Sequence, residues 1–70
     1  MEMIQVTSSN VQAIGYDDQS GTLRVEFING GTYDYYSVPQ EIYVSFLSAP
    51  SKGEFHNLHI KKTGYSYSRV

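Results

Sequence analysis

The residues best equipped for chemistry lie in the last third of the chain. Lys52, Lys61, Lys62 and Arg69 bring four cations there against the single acid Glu54, and Tyr65 and Tyr67 stand between the lysines and the arginine. Cations interleaved with aromatics suit single-stranded nucleic acid, because phosphates attract cationic donors and unpaired bases stack on π faces. The lysines also have a plain structural use, since cations in the last turn of a helix offset its dipole. His56 and His59 are three apart and could reach one metal ion from a helix, but the chain has no cysteine and no third ligand accompanies them. Ser8 and Ser9 show no spacing to a histidine and an acid that would mark a nucleophile. Asp17 and Asp18 fall in a run of turn formers without the further oxygen ligands a divalent cation requires. Ser51-Lys52-Gly53 resembles a fragment of a phosphate-binding loop, yet the rest of the glycine-rich loop and its strand are missing, and Ser51 followed by Glu54 reads more simply as a helix cap. The residue types therefore predict a binding module with no catalytic residues, no cofactor and no metal.

Composition sets the limits on what can hold such residues. Seventy residues leave room for one domain, residues 1–70, with about 1–8 as a partly frayed lead-in. A chain this short needs nearly every large apolar side chain for its core, which argues against a deep cleft with its own supporting shell. The absence of cysteine excludes disulfides and thiolate catalysis. No window approaches the ~18 apolar residues of a membrane span and the start lacks a basic leader, so a cytoplasmic location is expected. The net charge of −2 argues against indiscriminate phosphate binding. That sum hides an asymmetry. Residues 1–41 hold six acids and only Arg24, a balance of −5, whereas residues 42–70 balance at +3. A local basic surface on an acidic molecule follows.

The elements that must position these groups are readable from periodicity. Val11 to Asp17 is a first strand, and Asp17-Asp18-Gln19-Ser20-Gly21 turns the chain. Thr22 to Ile28 alternates, with Leu23, Val25 and Phe27 on one face and Thr22, Arg24 and Glu26 on the other. Asn29-Gly30-Gly31 turns it again into Thr32 to Tyr36. Ser37 and Gln40 are spaced as a capping box around Pro39 and predict a helix with Ile42, Tyr43, Phe46 and Leu47 on its apolar face, stopped by Pro50. Ser51 and Glu54 open a second helix that puts Phe55, Leu58 and His59 on one face and ends at Thr63-Gly64. The alternating Tyr65-Ser66-Tyr67-Ser68-Arg69 is compatible with a short extra strand. The predicted fold is α+β, a three-stranded antiparallel β-meander packed against two short C-terminal helices.

Register decides whether Tyr33 and Tyr35 are free to stack on bases. A two-residue turn at Asn29-Gly30 would set Glu26 against Tyr33 and place a carboxylate on the apolar face. A three-residue loop Ile28-Asn29-Gly30, with Gly30 left-handed, sets Val25 against Tyr33, Leu23 against Tyr35 and Arg24 against Asp34. Cross-strand pairs contribute roughly 0.2–1 kcal/mol each, and an unpaired buried Asp34 would cost several more, which favours the second register. Tyr33 and Tyr35 are then core residues with hydroxyls at the rim, and recognition falls to the cationic C-terminal end.

The motifs Ile14-Gly15-Tyr16-Asp17, Leu23-x-Val25-x-Phe27-x-Asn29-Gly30, Tyr33-x-Tyr35-x-x-Val38-Pro39 and Ser51-Lys52-Gly53 with Asn57 and Ile60 resemble the KTSC family, from about Val6 to Arg69. That family is a small domain at the C-terminus of some lysyl-tRNA synthetases and in stand-alone bacterial proteins. The chain departs from its pattern at His56, where an aromatic is usual, and at Lys61-Lys62-Thr63-Gly64. By association with a tRNA-charging enzyme, the resemblance implies RNA binding and adds Lys52 and Asn57 to the candidates. The expected function is a non-catalytic module binding RNA or single-stranded nucleic acid through Lys52, Asn57, Lys61, Lys62, Tyr65, Tyr67 and Arg69. The rival expectation is a module for a protein partner or a second copy, using an exposed sheet face or edge.

Overall fold

A computed structural model describes all 70 residues. It is α+β, with a five-stranded antiparallel sheet in the order β1 (Met3–Gln5), β2 (Val11–Asp17), β3 (Thr22–Phe27), β4 (Gly31–Tyr35) and β5 (Tyr67–Arg69). The expected three strands are its centre. The N-terminal segment read as a lead-in supplies β1, paired Ile4 to Ile14, and the C-terminal alternation supplies β5, paired Tyr67 to Tyr35 and Arg69 to Tyr33. Three-residue edge strands are too short to show a period, which is why β1 escapes a reading based on alternation.

The β3–β4 register is Leu23 to Tyr35, Arg24 to Asp34 and Val25 to Tyr33, as the pairing of charges outside and apolar groups inside predicts. On the face away from the helices, Arg24 grips Asp34 through two hydrogen bonds, Nε to Oδ1 at 2.7 Å and Nη2 to Oδ2 at 2.9 Å. The bidentate geometry is what makes burial of Asp34 tolerable. The glycine that closes the hairpin is a correction. Gly31, with φ +83°, takes the left-handed conformation, not Gly30.

Helix α1 (Gln40–Ser48) buries Phe46 against the inner face of the sheet. Its predicted capping box is absent. Pro39 occupies the cap position and no side chain caps it, while Ser37 lies at φ +59°, a left-handed conformation that lets the chain leave β4 sharply. Helix α2 (Lys52–Phe55) starts as expected, with Ser51 Oγ accepting from the Glu54 N–H at 3.3 Å. It then continues as a π-helical stretch, His56–Lys61, with i to i+5 bonding extended by Lys62 N–H to the Asn57 carbonyl. The wider π turn rotates the face predicted from a 3.6-residue period. Ile60 is buried at 1% exposure and Leu58 is turned out at 44%, the reverse of the expectation for Leu58. Val11, Ile14, Leu23, Val25, Tyr35, Val38, Phe46 and Ile60 form one contiguous core. No helix is long and apolar enough to cross a membrane.

Candidate functional site

Where the π-helical stretch crosses the C-terminal end of the sheet, the core opens into a cleft of about 420 Å³. Strand alternation supplies one wall. Phe27, Tyr33 and Tyr35 point to the helical side from β3 and β4, and Tyr67 does so from β5. The helical side contributes His56, Ile60 and Lys61, and the turn after it contributes Gly64 and Tyr65. The cleft therefore needs little supporting shell of its own. Tyr35 and Ile60 belong to the core and Phe27, Tyr33 and Tyr65 pack against it, which is how a 70-residue chain can carry one.

The rings are arranged at an incline. Tyr33 and Tyr67 have centroids 6.0 Å apart at 59°, Tyr35 and Tyr67 5.7 Å apart at 38°, and Phe27 and His56 4.9 Å apart at 75°. The first two pairs are tilted and the third is edge-to-face, and rings so inclined leave a concavity, where a flat platform would need coplanar faces. At the floor, Tyr35 Oη and His56 Nε2 share a hydrogen bond of 2.7 Å. Burial, with smaller contributions from Tyr33 and Tyr67, raises the Tyr35 phenol to about 12. Burial and then the nearby Lys61 charge lower the His56 imidazole below its usual value. Both groups are consequently neutral at physiological pH. The floor of the cleft is uncharged but polar, and its cation is Lys61.

The seven candidate residues separate into groups. Lys61, Tyr65 and Tyr67 line the cleft. Arg69 lies beside it, next to Tyr33 in the sheet, with its guanidinium across Gly31, where a Cβ would come within 2.9 Å of Nη2. Lys62 and Asn57 are exposed and do not line it. Lys52 is elsewhere: its Nζ donates to the Ala49 carbonyl at 2.5 Å, and it borders a mainly polar groove with Asn10, Ser51 and Gly53. The two histidines take different partners, His56 against Phe27 and Tyr35, and His59 against Phe55 with centroids 4.6 Å apart.

Sequence reasoning missed His56, Phe27 and Ile60 as cleft residues and read Tyr33 and Tyr35 as core residues with hydroxyls at the rim. Tyr35 is indeed buried at 6% exposure, and Tyr33 is half-buried and packed against the core. A signal did exist. The register that faces Val25 to Tyr33 and Leu23 to Tyr35 also puts Phe27 on that inner face, a row of aromatics for the helical layer to cover or leave open.

Comparison with known proteins is consistent across sequence and structure. A family model described as the KTSC domain matches residues 7–69. An uncharacterised protein of Stutzerimonas stutzeri is 36% identical over 70 residues, covering 100% of this chain and 99% of its own. A lysine–tRNA ligase of Nostoc punctiforme is 32% identical over 59 residues, which cover 84% of this chain and 10% of the ligase. The crystal structure of a KTSC domain protein from Yersinia pestis superposes with a TM-score of 0.94 at 35% identity, covering 99% of this chain and 96% of that one.

Proposed function

The chain belongs to the KTSC domain family, and from that premise we propose that it is a small non-catalytic module that binds RNA or other single-stranded nucleic acid through its C-terminal basic and tyrosine surface. The observation that carries this reading is the cleft itself, where Lys61 meets Tyr33, Tyr65 and Tyr67. Aromatic faces beside a cation offer an unpaired base something to stack on and its phosphate something to pair with. Arg69 extends the cationic edge along β5, and Lys62 adds charge on the exposed side of the helical stretch. The Nostoc punctiforme relative is named as a ligase for tRNA, which favours RNA as the class of ligand. Both sheet edges are three-residue strands, and short edges discourage strand addition, which weighs against the rival reading of a partner-recruiting edge.

The test is a fluorescence titration of labelled single-stranded RNA with the wild type and with Lys61→Ala/Lys62→Ala, at low and at physiological salt. Few cations contribute, so binding should be weak, should fall as salt rises, and should drop several-fold in the double variant. Equal binding by both proteins, or none by either at low salt, removes the reading.

A further inference from the structure

Resting on the nucleic-acid reading above, we infer that the cleft is a single-nucleotide pocket, taking one unpaired base among Tyr67, Tyr33 and His56 with that nucleotide's phosphate on Lys61, and therefore binding a free mononucleotide.

Three observations lead there. The first is shape. Proteins that track a strand present aromatic faces in succession, one per base. Here Tyr67 leans against Tyr33 and Tyr35 at 59° and 38° around one hollow, so these three rings do not offer parallel faces in succession to neighbouring bases. A volume of about 420 Å³ sits at the lower end of the roughly 300–1,000 Å³ typical of small-ligand pockets, enough for one nucleotide and not for a run of them.

The second is polarity. A nucleotide is a neutral disc with hydrogen-bonding edges, joined to an anion. The cleft has the matching order: aromatic walls, a polar uncharged floor at the Tyr35–His56 pair, and one cation, Lys61. One nitrogen of the neutral His56 ring is occupied by Tyr35, which leaves the other as a single donor or acceptor for a base edge. The carboxylates adjacent in sequence to the cleft walls, Glu26 and Asp34, both alternate to the opposite face of the sheet, where Arg24 holds Asp34.

The third is the placement of the remaining cations. Lys52 lies on a different groove and Lys62 outside the cleft, so neither supplies the second and third phosphate contacts of an extended track. Arg69 is the one further cation adjoining Tyr33, and it serves a neighbouring phosphate at most.

The experiment is a calorimetric and NMR titration of the intact protein with AMP, UMP, adenosine and inorganic phosphate, alongside a single-stranded RNA oligomer. AMP and UMP should bind, adenosine should bind more weakly and without salt dependence, and phosphate alone should not bind. Shifts should concentrate on Gly64 and the His56 ring. Tyr67 is 63% exposed, so Tyr67→Ala keeps the fold, and it should weaken AMP by about tenfold, as loss of one stacking partner does. Lys61→Ala should bring AMP down to the level of adenosine. RNA binding without mononucleotide binding, AMP shifts centred on Lys62 or Lys52, or unchanged affinity in Tyr67→Ala would overturn the pocket while leaving the nucleic-acid reading intact. Absence of binding by RNA and mononucleotides alike would end both.

Discussion

The hydrogen bond between Tyr35 and His56 ties the sheet to the helical layer at the floor of the cleft, and its contribution can be isolated. Tyr35→Phe removes only the hydroxyl. His56→Phe keeps a ring against Phe27, 4.9 Å away, and removes the other partner. A net intramolecular hydrogen bond contributes about 1 kcal/mol, and a partner left buried without one costs about 1–3 kcal/mol. The bond is 2.7 Å long and His56 is half-buried beside an open cleft, so water can reach the nitrogen that Tyr35→Phe leaves behind. That places Tyr35→Phe near the low end, at about 1 kcal/mol, which for a domain of this size lowers Tm by roughly 4–8 °C. His56→Phe leaves the buried Tyr35 hydroxyl unpaired and should cost at least as much. The double variant removes both partners together, so its cost should fall short of the sum by about 0.5–1.5 kcal/mol. Urea unfolding of the four proteins measures that coupling. Additivity within about 0.3 kcal/mol would mean that the hydrogen bond does not join the two layers and that the cleft floor rests on ring packing alone.

Two further predictions follow from the same geometry. Tyr35 is raised to about 12 from 10, so the folded protein resists its ionisation, and stability present below pH 10 should be lost as pH rises from 10 toward 12; ultraviolet tyrosinate titration should show Tyr35 ionising after the exposed tyrosines, and simultaneous ionisation in the folded state would contradict its burial. His56 is lowered from 6.5, so its unfolded form takes up a proton first, and the contribution of its neutral form should be lost as pH falls below 6.5 through the folded value, as NMR titration of the ring would read. At the other edge of the sheet, a Cβ on Gly15 would come within 2.9 Å of the Glu2 carbonyl and would collide with Met3 Sδ. Gly15→Ala should push β1 away at a cost of about 1–3 kcal/mol and speed hydrogen exchange at the β1–β2 pair, whereas unchanged protection there would show that β1 is not held against Gly15.

What the sequence discloses and what it conceals divide along physical lines. The β3–β4 register was legible because a wrong register buries a charge, and the penalty is large enough to decide. The hairpin's positive φ fell one residue away, at Gly31, because adjacent glycines tolerate it equally and the sequence does not distinguish them. The second helix was legible in its start and not in its face. Ser51 marks the cap, but the π turn over His56–Lys61 changes the period on which the shared face of Phe55, Leu58 and His59 depended. Of the residues that line the cleft, Lys61, Tyr65 and Tyr67 were singled out by the interleaving of cations and tyrosines in the tail. The cleft was not, because it forms only where Phe27, Tyr33 and Tyr35 meet residues about 20 to 40 positions later.

The path of the sheet has a consequence for assembly. The first four strands are neighbours in the chain and can zip one turn at a time, but β5 joins β4 only after the roughly 30 intervening residues have folded back, at about 2 kcal/mol more closure entropy than a tight hairpin. Two of the aromatic groups around the hollow, Tyr65 and Tyr67, arrive with that last strand. The cleft should therefore be the final part to organise and the first to fray, so that a ligand of the kind proposed above would be held only as firmly as the C-terminal strand is anchored.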